Sequence, residues 1–399
     1  MSEFNFENIF AENTPEPMGL AQRRQSATKV KYEFGTAFAD PDTIPLEGLW
    51  QGLRSGLAKE GRDLTRYSDI LGDPELRQII STHIKTHRGI DSPIEHIMLG
   101  SGSGRMNNLI LELLLNPGDI VITEDFAYLG TLRQIRRYKG NIIGVPVDHE
   151  GMDTDKLEET LKNLGKIGKT PKLIYTIPSY QNPQGMNLSL ERRMRMLELS
   201  EEYGVPILED DVYVDLRIEG DLPDAIRSKD ESGRTLYVGS FSKIVGPGVR
   251  LGYAVLPEIV LGRVLALKLD GAPNLLASLA VREYMASHMD EHIQNINSSI
   301  AVKRDAMLSA LGEHFPPSCT WSRPEGSLYT WLELPEGVDV TSFQEEAEFK
   351  GIRYISGNAF SGSGEGKNCL RLCYGYNSPD EIRDGIALLS DVFSGGKAW

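Results

Sequence analysis

Lys243 stands in the run Ser240-Phe-Ser242-Lys243-Ile-Val-Gly-Pro-Gly-Val-Arg250, preceded by two hydroxyls and followed by an arginine. An amine, two hydroxyls and a guanidinium are what a phosphorylated aldehyde requires. The amine forms a Schiff base, and the other groups hold a phosphate dianion. The apolar stretch Leu236-Tyr-Val-Gly ahead of them would carry Lys243 to the end of a sheet strand, where ligands of open α/β sheets collect. Taken alone, the run also fits an exposed serine–lysine loop.

Five further segments carry matching chemistry. Gly100-Ser-Gly-Ser103-Gly104-Arg105 follows an apolar run and opens an amphipathic one. A glycine-rich helix start offers free N–H groups to a phosphate, although such a string is also a common loop. Tyr128, in Glu124-Asp-Phe-Ala-Tyr128, would stack on a planar ring if it stands at a strand end, and is a core residue otherwise. Asn182, in Pro178-Ser-Tyr-Gln-Asn182-Pro-Gln-Gly185, can donate to a phenolate oxygen; Asn-Pro elsewhere is simply a turn. In Glu209-Asp210-Asp211-Val-Tyr213, a carboxylate facing a ring nitrogen keeps that nitrogen protonated and makes the ring an electron sink. Tyr213, three residues on, can reach the same phenolate. Acidic clusters are more often solvated, but these end an apolar strand, where unpaired carboxylates are destabilising. Arg371 interrupts the apolar run Cys369-Leu-Arg371-Leu-Cys373. A buried guanidinium needs an anion, either a structural carboxylate or the α-carboxylate of a substrate.

The elements that must position these groups alternate along the chain. Strands are expected at Ile97–Leu99, Ile120–Thr123, Ile142–Val145, Leu173–Ile177, Pro206–Glu209, Leu236–Val238 and Arg250–Val255. Between them, helices are expected at Met106–Leu115, Leu129–Tyr138, Leu157–Leu164 and Leu190–Tyr203, the last with Ser189 as N-cap. This alternation predicts an α/β fold with a mostly parallel seven-stranded sheet between helices. Beyond Leu256, helical stretches run from about Glu258 to Leu311 with a break at Pro273. Strands at Leu328–Leu332, Ile352–Ile355 and Cys369–Cys373 and a helix over Asp380–Phe393 then predict a smaller α/β domain. The division expected is an arm or part of the small domain over 1–45, a large cofactor-binding domain over 46–285 and a small domain over 286–399.

Composition bounds the partners. With 399 residues the chain is too long for one simple core, and a net charge of −15 argues against nucleic acid. Cys319, Cys369 and Cys373 fit neither a disulfide framework nor a zinc site, and the last two read as buried strand residues. No metal is expected. No apolar run approaches the ~20 residues of a membrane span, and the acidic start Met1-Ser-Glu-Phe-Asn-Phe-Glu7 lacks the marks of a signal peptide. The cytoplasm is the expected compartment.

On these segments the sequence resembles the class I/II aminotransferases, pyridoxal-phosphate (PLP) dependent transferases of fold type I. Within them it is most similar in style to the aminoadipate and kynurenine aminotransferases and the effector domains of MocR-type regulators. The residues that carry the resemblance span most of the chain: Tyr67, Gly72 with Leu76-Arg77, Gly102-Ser-Gly104, Asn116-Pro-Gly-Asp119, Gln181-Asn-Pro-Gln-Gly185, Glu209-Asp-Asp211, Ser240-Phe-Ser-Lys243 with Arg250-Leu-Gly-Tyr253, and Arg371.

The resemblance implies ping-pong transamination between an L-amino acid and a 2-oxo acid, with pyridoxal 5'-phosphate held as a Schiff base (the internal aldimine) on Lys243. It implies Asp210 at the pyridine nitrogen and Asn182 and Tyr213 at the phenolate. Tyr128 would lie on the ring, and Ser103, Gly104, Ser240, Ser242 and Arg250 around the phosphate. Arg371, with Asn182, would take the substrate carboxylate. Tyr67 would reach the phosphate of a neighbouring subunit, so a homodimer with shared active sites is implied.

Three departures from the family pattern are visible. Gly104-Arg105 stands where glutamines are frequent. Thr36-Ala-Phe-Ala-Asp40-Pro lacks the glycine and first proline of Gly-x-Pro-Asp-Pro. Pro324-Glu-Gly-Ser327 has one glycine where Pro-x-Gly-Gly is usual. The last two lie near the substrate end, which leaves open a non-transaminating reaction on the same fold: a lyase, a β- or γ-substitution catalyst or an oxidase. A regulator of the MocR kind would need a DNA-binding domain ahead of the fold, and fewer than about 50 residues precede the pattern, against the ~60–80 such a domain takes.

Overall fold

Seven short, mostly buried strands make one sheet: β1 (Ile97–Gly100), β2 (Ile120–Glu124), β3 (Asn141–Val145), β4 (Leu173–Thr176), β5 (Ile207–Asp210), β6 (Thr235–Ser240) and β7 (Gly252–Val255). Their order is β1-β7-β6-β5-β4-β2-β3. β6, β5, β4, β2 and β3 are mutually parallel, while β7 runs antiparallel to both β1 and β6. β4 and β5 are buried at every position, as expected for strands covered on both faces, whereas the edge strand β3 is largely half-exposed. All seven sit where the apolar runs predict them. This computed structural model describes residues 9–11, 14 and 30–395. Most of the expected 1–45 arm, including the acidic start, therefore lies outside the described residues.

The helices that matter to the site are α1 (Pro74–Arg88), α2 (Ser103–Leu114), α3 (Leu129–Arg137), α4 (Leu190–Tyr203), α5 (Leu275–His314) and α6 (Pro379–Gly395). Their starts are chemically marked. Asp73 accepts from the N–H of Leu76, Ser189 from that of Arg192 and Asn274 from that of Ala277. Pro273 falls in the gap before α5, as its missing N–H and ring sterics require. α5 then runs unbroken for 40 residues, across the boundary expected at 285/286.

A second sheet of four antiparallel strands holds β8 (Thr320–Trp321), β9 (Tyr329–Glu333), β10 (Ile355–Ser356) and β11 (Cys369–Cys373), in the order β8-β9-β11-β10. The single strand expected over Ile352–Ile355 is interrupted. Ile352–Arg353 instead pairs in parallel with Tyr32–Glu33, so the end of the N-terminal arm joins the small domain. All three cysteines are buried and free. Among the described residues no helix is long and apolar enough to cross a membrane.

Candidate active site

The parallel strands all end along one edge of the large sheet, and β7, running the other way, begins there. Gly252 lies opposite both Gly100 at the end of β1 and Ser240 at the end of β6. That edge faces the small domain across a cavity of about 380 Å³. Ser103, Gly104, Tyr128, Asp210, Tyr213, Ser240, Ser242, Lys243, Arg250 and Arg371 all line it. The sequence spreads them over almost 270 positions; the topology brings them together.

One end of the cavity suits an anion. α2 starts without a side-chain cap, so its first N–H groups are open to a ligand. Arg250 has a left-handed backbone (φ 51°) and donates from Nη2 to the carbonyl of Ser101 at 2.8 Å. The approach is close enough to require glycine. A Cβ on Gly252 would lie 2.4 Å from the backbone nitrogen of Ser103, and one on Gly102 would lie 2.6 Å from Nη2 of Arg250. Ser240 Oγ accepts from the N–H of Ser242 at 3.1 Å, which fixes the turn into Lys243.

The middle of the cavity holds an amine and a carboxylate. Lys243 Nζ donates to the carbonyl of Ala37 at 2.7 Å and lies 5.4 Å from the centre of the Tyr213 ring. Burial, helped by the charge of Arg371, pushes its ammonium down to about 8. Asp210 Oδ2 accepts from Asn107 Nδ2 (2.7 Å) and from the Tyr175 hydroxyl (2.8 Å). Its Oδ1 is buried and has no partner among the described residues. Burial pushes this carboxyl up to about 6, against the pull of Tyr175 and Asn107. An orphaned carboxylate oxygen in such a cavity fits a protonated ring nitrogen. The other two acids of the run are occupied. Glu209 accepts from the N–H groups of Ile226 and Arg227, and Asp211 pairs with Arg88 at 2.8 Å.

At the far end Arg371, in the middle of β11 between Trp331 and Ile355, is buried. Nη1 donates to Asn182 Oδ1 (2.8 Å), Nη2 to the carbonyl of Gly35 (2.6 Å), and the guanidinium lies over the rings of Phe360 and Tyr329. Among the described residues no carboxylate pairs with it, so the structural ion pair is not what holds Arg371. Asn182 does not itself line the cavity but links its two sides, since its Nδ2 donates to the Tyr213 hydroxyl at 2.9 Å.

Tyr128 precedes α3 and is more than a third exposed, with its ring over Gly130, where a Cβ would come 2.6 Å from it. Tyr67 is not brought into this cavity. It is fully exposed beside a separate hollow with Arg66 and Pro273. Tyr32, Phe34, Tyr180 and Tyr329 are core residues, and Phe38 is exposed. Arg105 turns toward Asp270, and Asp40 is taken by Lys303 and Ser299.

Sequence reasoning missed Asn107 and Tyr175, which hold Asp210, and Thr131, whose hydroxyl donates to that of Tyr175. Signals existed. Asn107 is one turn beyond Ser103 on α2, and Tyr175 is a hydroxyl within an otherwise buried strand, which demands a partner. The carbonyls of Gly35 and Ala37 left none.

This architecture recurs among known proteins. Residues 38–387 match the family model "Aminotransferase class I and II". "Aromatic-amino-acid aminotransferase 1" of Thermococcus litoralis is 36% identical over 355 residues, 88% of this chain and 85% of that protein. The crystal structure of a multiple substrate aminotransferase from Thermococcus profundus superposes with a TM-score of 0.92 at 31% identity, covering 98% of this chain and 99% of the other. The Pyrococcus horikoshii kynurenine aminotransferase, solved in complex with PMP, gives the same TM-score at 32% identity and 98% coverage of both chains. The chain therefore belongs to the class I and II aminotransferases, pyridoxal-phosphate-dependent enzymes of fold type I.

Proposed function

We propose that this enzyme carries an amino group from an L-amino acid to a 2-oxo acid by a ping-pong route, with Lys243 as its covalent anchor and proton carrier. The observation that carries the reading is the meeting, in one cavity, of a depressed lysine, an orphaned carboxylate oxygen and a buried arginine without an anion. Pyridoxal phosphate, when bound, supplies an aldehyde that condenses with amines and a protonated ring that draws electron density from the bond being broken.

The protein's own groups do the rest. Ser103, Gly104, Ser240, Ser242 and Arg250 would hold the phosphate, and Asn182 and Tyr213 the phenolate oxygen. Asp210 would keep the ring nitrogen protonated, and Tyr128 would lie on the ring. Lys243, its ammonium already lowered to about 8 by burial, is suited to take the proton from the substrate's Cα and return it elsewhere. Arg371, whose Nε has no partner among the described residues, would take the α-carboxylate.

The exposed Tyr67 would complete the phosphate site of a second subunit, which makes the working form a homodimer, and the cytoplasm is its compartment. The relatives above are named for aromatic amino acids, kynurenine and multiple substrates, so aromatic donors are the first to try. The test is a screen of the amino acids with 2-oxoglutarate as acceptor, followed by glutamate formation. Glutamate made from one or a few donors supports the reading; amino acids consumed without glutamate, with ammonia or a cleaved side chain released, would overturn it.

A further inference from the structure

Beside Arg88, a further cavity of about 340 Å³ is lined by α1, α5 and the segment that follows Tyr213. His83 and His87 are four residues apart on α1 and so share one face. Asp290 comes from α5. One ligand-type atom from each of the three lies within 4.8 Å of the others, and the imidazole centres are 4.6 Å apart. Nε2 of His87 is 3.5 Å from Oδ1 of Asp290. Two ligands bound at 2.0–2.1 Å to a tetrahedral ion stand about 3.3 Å apart, so little movement is needed.

A second observation concerns His83 alone. It is buried, and its Nε2 is bonded to Asp215 Oδ1 at 2.8 Å, while no group among the described residues bonds its Nδ1. A carboxylate on one ring nitrogen is how proteins orient the other toward a metal. The cations lining the cavity are already occupied: Arg88 by Asp211 and Arg217 by Asp221.

We propose that His83, His87 and Asp290 bind a divalent transition-metal ion of the Zn²⁺ class, with Asp215 orienting His83 and water completing the shell. Two imidazoles and one carboxylate suit Zn²⁺ over Mg²⁺ or Ca²⁺. The ion would brace α1 against α5. Because Arg88 at the end of α1 anchors Asp211, it would also brace the segment that carries Asp210.

The test is equilibrium dialysis of the tag-free, chelator-treated holoenzyme against ZnCl₂, with thermal unfolding in parallel. One ion per chain is expected, together with a rise in Tm that grows with free Zn²⁺. His87→Ala and Asp290→Asn, both at exposed positions, should each weaken binding by about tenfold or more while leaving the metal-free transamination rate unchanged. The absence of saturable binding, or undiminished affinity in either variant, would overturn the proposal.

Discussion

The two ends of the active cavity are built differently. The cofactor end is assembled from the ends of neighbouring strands. β1 leads into Ser103 and Gly104, β5 ends at Asp210, β6 ends at Ser240 just before Lys243, and β7 begins beside Arg250. The end proposed for the substrate joins three distant pieces: Arg371 from β11, Asn182 from the loop after β4, and the backbone of residues 35–37. At the first end, sheet register sets the relative positions of the strand ends. The second depends on how the small domain and the arm sit on that sheet, so substitutions at the two ends should separate in the kinetics.

Lys243→Ala is the largest test. It would remove both the proposed covalent anchor and the proposed proton carrier, and turnover should fall by about 10⁴-fold or more. Near-normal turnover without added amines would move the chemistry to another residue.

Asp210→Asn, also at the cofactor end, should lower kcat by about 10²- to 10³-fold while some cofactor still binds. It also carries a pH signature in the cofactor-free protein. Folding raises the Asp210 carboxyl to about 6, so the folded state holds this proton more tightly than the unfolded chain does. The group therefore costs stability as pH rises from about 4 to about 6, a loss on the order of 3 kcal/mol at its limit. In urea unfolding, the cofactor-free Asn variant should gain on the wild type over that range. Parallel pH profiles would mean that Oδ1 has a partner after all. Glu124 and Glu209, each pushed up to about 7 mainly by burial, add a pH dependence to both proteins, and losing the Asp210 charge removes a small part of the Glu124 shift.

Arg371→Ala tests the other end. It should raise KM for the amino acid by about 10²-fold, within the 2–5 kcal/mol for a desolvated charged contact, and change kcat far less. An effect confined to kcat would place the carboxylate elsewhere and erase the distinction between the two ends.

The same contrast explains what could be read from the sequence. Strand ends carrying Lys, Asp, Ser and Arg were legible, because apolar runs mark the strands and the residue after each run carries the chemistry. In Glu209-Asp-Asp211 the residue pattern alone showed that acids end a strand; the choice of Asp210, which does line the cavity, came from the family resemblance. Which acid faces the cavity depends on strand alternation and on Arg88, 123 positions from Asp211. The carbonyls of Gly35 and Ala37 were invisible, since a backbone acceptor has no residue type. The α1–α5 histidine cluster was equally hidden, because Asp290 and Asp215 meet His83 and His87 only through packing.

The smallest expected effect lies at the departure Pro324-Glu-Gly326-Ser327. Gly326 cannot carry a side chain, since a Cβ would lie 2.3 Å from both the Leu216 carbonyl oxygen and the Tyr180 ring. Ser327, where the family pattern has a second glycine, adopts φ 75°, a left-handed conformation unfavourable to any L side chain. Its N–H donates to Leu216 O at 2.8 Å, an anchor that glycine would keep. Ser327→Gly should therefore relieve backbone strain at some cost in unfolded-state entropy, for a net gain of roughly 0.5 kcal/mol and a small rise in Tm. Because Ser327 lies two residues before Tyr329, whose ring is under Arg371, KM should shift before kcat does. A drop in Tm would show that the serine side chain contributes more here than its backbone costs.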